Sequence, residues 1–183
     1  MLGRLDRLVS LVSLRTVILA SPAVFLLHDL EELLTMERFL RENRESLPIP
    51  AALKDRLNTT TGQFAVAIAW PFPICAAVSS MAAKSLVPGA VTHAFAVMIC
   101  GRFLNALTHV GQSLLFRKRS PGLISAVFVV LPYSAYTLRR LQKAGLVGER
   151  ELPRMMAEGG LLMGAAIPCA LAVGRMAVRM AGR

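Results

Sequence analysis

Four ionisable side chains fall within five positions at His28-Asp29-Leu30-Glu31-Glu32, directly after an uncharged run of 12 residues from Thr16 to Leu27. A run of that length is too short to cross a bilayer, which takes about 20 residues. A crossing helix must therefore take in the motif, over residues 16–36, or begin near Leu8 and accept Arg15. Either way, carboxylates lie in or at the edge of hydrocarbon, where each costs at least ~2.5–3.5 kcal/mol on insertion scales. Such a cost calls for a partner or a function.

Composition says why a membrane is the solvent. The chain is 55% hydrophobic over 183 residues with a mean hydropathy of +0.55, well above a soluble domain. Its apolar residues come in long uncharged blocks, with neither alternation nor an amphipathic stripe. That pattern predicts an all-α fold, a polytopic transmembrane helix bundle of about five spans in one domain over residues 1–183. The net charge of +10 sits in short clusters between those blocks, as loops flanking spans do, so no nucleic-acid partner is expected. Cys75, Cys100 and Cys169 stand singly inside apolar runs and read as small core residues.

The expected spans are about 16–36, 64–83, 89–116, 122–138 and 159–174. Pro22 lies in the first turns of the first span, where lost backbone bonding is easiest to tolerate, and Pro71 and Pro73 should kink the second. Residues 1–15, with Arg4, Asp6, Arg7 and Arg15 among leucines and valines, read as a short helix on the membrane surface. Residues 37–56 carry mixed charge and read as a solvated helix end broken at Pro48-Ile49-Pro50. Lys84 and Pro88 make a tight return, Arg117-Lys118-Arg119 a basic turn, and Pro121-Gly122 opens the fourth span.

With five spans, connections 37–56 and 117–121 lie on the same side, and helix rise then measures depth. His28 is ten residues before Arg38, about 15 Å, and Glu32 is six before it, about 9 Å. His109 is eight residues before Arg117, about 12 Å, so it belongs to the same layer. His28, Glu31 and Glu32 at i, i+3 and i+4 share one helix face. Asn105 and His109 are also i and i+4, and Arg102 falls on that face. Asp29 turns about 100° from His28, toward the interface or a neighbouring helix. His93, 24 residues before Arg117 and so about 36 Å away, belongs near the opposite interface as an interfacial or core histidine.

Two imidazoles and two carboxylates at one depth in lipid are well satisfied by a divalent cation, zinc ahead of iron. The simplest ligand set is His28, Glu32 and His109, which leaves an open position for water, as catalytic zinc sites do. Glu31 is then the expected general base or a fourth ligand. Asn105 would support the ligands or bind substrate, and Arg102, about 10 Å deeper, would hold an anionic headgroup or a free carboxylate. A di-iron site wants about four carboxylates and two histidines, more than the spans hold. Without metal, the same residues form a salt-bridged structural knot in which Arg102 and the histidines balance the glutamates, or an ion or proton path.

His28-x-x-Glu31-Glu32, followed by Asn105-x-x-x-His109 and Pro121-Gly122, resembles the HXXEE-domain family of small bacterial and archaeal membrane proteins over about Thr16 to Leu138. That family is described by the HXXEE motif, a further histidine and a YxPG motif. Here Arg119 stands where the tyrosine would be. The resemblance implies an integral protein of a prokaryotic cytoplasmic membrane and leaves the reaction open.

The function expected from these residues is a metal-dependent membrane hydrolase, acting by metal-activated water on an apolar or lipid-like substrate that enters from the bilayer lipids. A non-haem iron oxidase or hydroxylase comes second, since the same ligands suit iron. Metal or proton transport comes third, and the chain lacks the repeated halves common in transporters.

Overall fold

Helix starts are written in caps and prolines. In the computed structural model, which describes residues 12–47, 50, 54 and 59–182, Ser13 opens α1 (Leu14–Leu19) by accepting the Thr16 N–H at 3.0 Å. The chain turns at Ala20 and restarts as α2 (Ser21–Asn43), with Pro22 in its first turn, where the missing N–H breaks no bond. α2 runs on past the expected end at Met36. The charged residues there are good helix formers, and Arg38 and Glu42 pair one turn apart at 2.8 Å. One 3-10 turn, Arg44–Ser46, follows. Residues 1–11 of the expected surface helix, and Pro48-Ile49 of the expected break, lie outside the described residues.

Thr60 and Gln63 form a capping box that opens α3 (Thr61–Ala69). The rod is interrupted at Trp70 and resumes as α4 (Pro71–Ser85), so the expected kink falls at the first proline. After the return at residues 86–89, α5 (Ala90–Phe116) ends on Arg117 in the left-handed conformation, φ 51°. One turn of helix, α6 (Leu123–Ser125), passes into a π-helical stretch, Ala126–Val130, and then α7 (Leu131–Lys143). Leu131 reaches back five residues to the Ala126 carbonyl, and Pro132 next to it has no N–H to restore the α pattern. A 3-10 turn, Glu149–Glu151, leads into α8 (Leu152–Ala181). No strand occurs among the described residues.

α5 is the centre of the bundle, packed by α4, α7 and α8, with Phe95, Ile99 and Cys100 fully buried. α8 crosses it where two glycines face each other: a Cβ on Gly159 would lie 2.5 Å from the Gly101 nitrogen. Only small residues allow backbones that close, the usual device of helices associating in lipid.

Among the described residues, three helices are long and apolar enough to cross a membrane: Thr61–Ser85, Ala90–Phe116 and Glu149–Ala181. The α1–α2 rod is not among them, because it carries Asp29, Glu31 and Glu32 along its length. The rod from α6 to α7 ends on Arg139, Arg140 and Lys143. Leu114, Phe128, Leu161 and Met180 are largely exposed on the outside of the bundle, as lipid-facing residues are.

Side-chain ties mark the two ends. Lys118 Nζ donates to Asn43 Oδ1 at 2.6 Å and Ser46 Oγ at 2.8 Å, so the end of α2 and the α5–α6 turn share one end. At the other end Arg15 Nε donates to the Ala83 carbonyl at 3.0 Å. His93 lies there too, with Nε2 2.7 Å from Glu158 Oε2.

Candidate metal centre

α2 packs mainly on α4, α3 and the π-helical stretch, and its side chains reach across to α5, which brings His28 and Glu32 from one helix to His109 from the other. One ligand atom from each lies within 4.8 Å of the other two. The imidazole centroids are 4.9 Å apart with the rings nearly perpendicular, and His109 Nε2 is 3.3 Å from Glu32 Oε1. Both histidines are buried, at 5% and 6% exposure. The equal-depth expectation and the geometry therefore agree on these three residues.

Ser125, which sequence reasoning passed over, sets the state of His28. Its hydroxyl donates to the Gly122 carbonyl at 3.2 Å, so its lone pair takes the Nδ1 proton of His28, 2.9 Å away. A neutral imidazole so held carries its free lone pair on Nε2. That nitrogen is buried and has no hydrogen-bond partner among the described residues.

Gly122 lets this turn come close. Its φ of +74° is left-handed, and a Cβ there would lie 2.8 Å from Glu32 Cγ and 2.9 Å from His28 Cε1. The turn is laced to α5 by Ser120, whose hydroxyl donates to the His109 carbonyl at 2.9 Å and accepts from Ser113 at 2.8 Å. The Pro121-Gly122 pair was visible in the sequence as a helix opener, but its contact with both candidate ligands was not.

Glu31 stands in a different place from the open carboxylate a general base or fourth ligand requires. Its Oε1 accepts the Ile124 N–H at 3.1 Å and its Oε2 the Ser125 N–H at 2.6 Å, with Arg119 Nη2 3.5 Å from Oε1. Gly122, the N-cap of α6, has no side chain to satisfy these two donors. Glu31 caps the turn from another helix and so holds Ser125 against His28.

Arg102 is likewise engaged elsewhere. Its guanidinium donates to the Ser21 carbonyl at 3.0 Å, the Ser21 hydroxyl at 3.1 Å and Cys75 Sγ at 2.8 Å, and lies 4.6 Å over the Phe25 ring. It ties α2, α4 and α5 together. This differs from the expected headgroup or carboxylate contact, because the break at Ala20 leaves a carbonyl and a hydroxyl of α2 facing it. Asn105 lies beside the cluster, with its side-chain amide nitrogen 3.2 Å from His109 Nε2. Asp29 is buried at 7% exposure with no hydrogen bond among the described residues, within electrostatic reach of Glu32 and Arg102. Tyr133 donates to the Val17 carbonyl at 2.8 Å, a packing role.

The electrostatics of the cluster pose one question. A carboxylate oxygen 3.3 Å from an unprotonated ring nitrogen places two lone pairs face to face. A proton on His109 would relieve that pair, as the structural knot requires, but would leave His28 Nε2 orphaned at the cost of burying an unpaired polar atom. A cation reaching all three atoms relieves both.

A family model described as a protein of unknown function with HXXEE motif matches residues 19–137, more than half of the chain. No curated protein matches the chain, and no solved structure does.

Proposed function

Since the chain belongs to the HXXEE-motif family of unknown function, the site itself must carry the reading, and we propose that it is a membrane metalloenzyme using His28, Glu32 and His109 to hold one divalent ion. The observation that carries this is the orphaned Nε2 of His28, aimed into a buried cluster in which Glu32 Oε1 lies 3.3 Å from His109 Nε2. Two histidines and a glutamate are the ligand set of hydrolytic zinc sites, and three protein ligands leave a position for water. When bound, such an ion supplies a water of lowered pKa and a positive charge for a polarised carbonyl or phosphoryl oxygen. The chain's own residues orient the ligands: Ser125 fixes the His28 tautomer, and Glu31 holds the turn on which Ser125 stands.

Hydrolysis of an apolar or lipid-like substrate is the favoured reaction. Leu27, Leu30 and Leu34, at i, i+3 and i+7 on the helix that carries His28 and Glu32, are all exposed, so this helix turns an apolar face outward on the side away from the cluster. On this reading the α1–α2 and α6–α7 rods also cross, giving five spans. The ties of Lys118 to Asn43 and of Arg15 to Ala83 support it, since they set the ends of the first rod beside those of α5 and α4. The same two-histidine, one-carboxylate set also suits non-haem iron, which makes an oxidase the second reading.

The test is metal analysis of the full chain purified without chelator. About one zinc per chain is expected, lost in His28→Ala, together with zinc-dependent cleavage of an ester-linked lipid. One iron per chain with oxygen consumption would select the second reading. Wild-type protein that neither carries nor takes up stoichiometric metal would overturn both.

A further inference from the structure

A cleft of about 470 Å³ lies at the charged end of the bundle, between the last turns of α2 and the turn that joins α5 to α6. Its walls carry three cations, Arg38, Lys118 and Arg119, with Leu34 and Phe39 as apolar surface. Arg38 is neutralised by Glu42 at 2.8 Å. Lys118 is bonded to two neutral oxygens, those of Asn43 and Ser46, so its charge is not cancelled by its partners. Arg119 is 60% exposed and reaches Glu31 only at 3.5 Å. Leu34, 80% exposed, continues the apolar side of the cleft onto the outer face of α2.

The wall of this cleft comes within one residue of contact with the candidate metal cluster. Thr35 in its wall bonds the Glu31 carbonyl at 2.6 Å. Pro121, also in the wall, is followed by Gly122, whose missing side chain would touch Glu32 and His28. A basic mouth beside an apolar outer face, at the end of a bundle of bilayer-crossing length, matches one chemistry: an anionic headgroup carrying acyl chains.

We propose that this cleft binds the phosphate headgroup of an anionic membrane amphiphile, with its chains along the Leu34 face. Its use as a substrate subsite rests on the metal-site reading above, whereas occupancy by the headgroup does not. Lys118 and Arg119 supply the charge, and Arg119 offers the planar fork that takes phosphate through two oxygens.

The test uses the full chain in zwitterionic phosphatidylcholine vesicles. Trp70, the single tryptophan, is replaced by phenylalanine, and Phe39→Trp puts a reporter in the cleft. Acyl-brominated phosphatidic acid and acyl-brominated phosphatidylcholine are compared as quenchers at equal mole fraction. The expected anionic preference is on the order of tenfold, falling to near parity in Lys118→Gln with Arg119→Gln, which keeps neutral hydrogen bonding. Arg41→Ala, at the same end but outside the cleft, should leave the preference unchanged. Equal quenching by the two lipids, a preference surviving the double variant, or an equal loss in Arg41→Ala would each overturn the proposal. His28→Ala separates it from the metal reading: the preference should persist while bound metal is lost. Reporter protein that prefers phosphatidic acid yet takes up no metal refutes the metal reading alone. Reporter protein that holds metal without lipid preference refutes the cleft alone.

Discussion

Gly122→Ala is the sharpest perturbation of the site, because the chain contains its own control. Gly122 and Gly145 both have left-handed backbones, at φ +74° and +69°. An added Cβ at Gly145 meets nothing within 4 Å, whereas at Gly122 it lies 2.8 Å from Glu32 and 2.9 Å from His28. Both substitutions incur the left-handed penalty of about 1–2 kcal/mol. Only Gly122→Ala adds an overlap of about half an ångström with each of two candidate ligands, worth a further ~1–3 kcal/mol. The expected order of thermal stability in detergent is wild type, then Gly145→Ala, then Gly122→Ala. Zinc affinity, read by competition with a chelator, should fall about 10–100-fold in Gly122→Ala and stay unchanged in Gly145→Ala. If the two variants bind zinc equally well and unfold together, the turn does not position the ligands.

Three further outcomes follow from the same geometry. Glu31→Gln and Ser125→Ala should each weaken zinc binding about 10–100-fold without abolishing it, and a Glu31→Gln protein with normal affinity at full stability would remove its positioning role. Arg102→Met should lower thermal stability while metal stoichiometry stays the same, because the guanidinium ties three helices and touches no ligand of the cluster; loss of metal in this variant would contradict that. Glu37, outside the apolar part of α2, is held below the ordinary carboxylate range by the hydroxyl and N–H of Thr61. A depressed folded pKa means that this tie is complete above the unfolded value, about 4.3, and is lost as pH falls through the lower folded one. Acid unfolding curves of wild type and Glu37→Gln should therefore converge only once pH has fallen below the depressed folded pKa, and parallel curves would contradict the link.

Most helix positions were legible because their causes are local. Pro22, Pro71 and Pro121-Gly122 restart helices wherever they occur, and the uncharged blocks set α3–α4, α5 and α8. Three features were not legible for the same reason in reverse. The extension of α2 to Asn43 depends on a charged segment that is polar enough for a loop and helical enough for a rod, and pairing such as Arg38–Glu42 tips it to helix. The π-helical stretch Ala126–Val130 arises from Pro132 acting backward along a run that reads as ordinary apolar helix. The Gly101–Gly159 crossing needs both partners in view, and they stand in different spans.

The site shows the same division between local and distant causes. Matched depth and one-face spacing were enough to bring His28, Glu32 and His109 together, since helix rise and twist are properties of each helix alone. The jobs of the two adjacent glutamates were not so accessible. From His28, a residue four places on lies about 40° round the helix and a residue three places on about 60° the other way. Glu32 therefore turns toward the His109 imidazole, while Glu31 turns toward the α6 turn, where two backbone N–H groups wait with no side chain at Gly122 to meet them. One position of spacing decides whether a carboxylate faces a ring nitrogen or a helix end, and the helix end belongs to a segment more than 90 residues away. The doubled glutamate thus places one candidate ligand and one anchor, and the anchor reaches the candidate ligand His28 through Ser125.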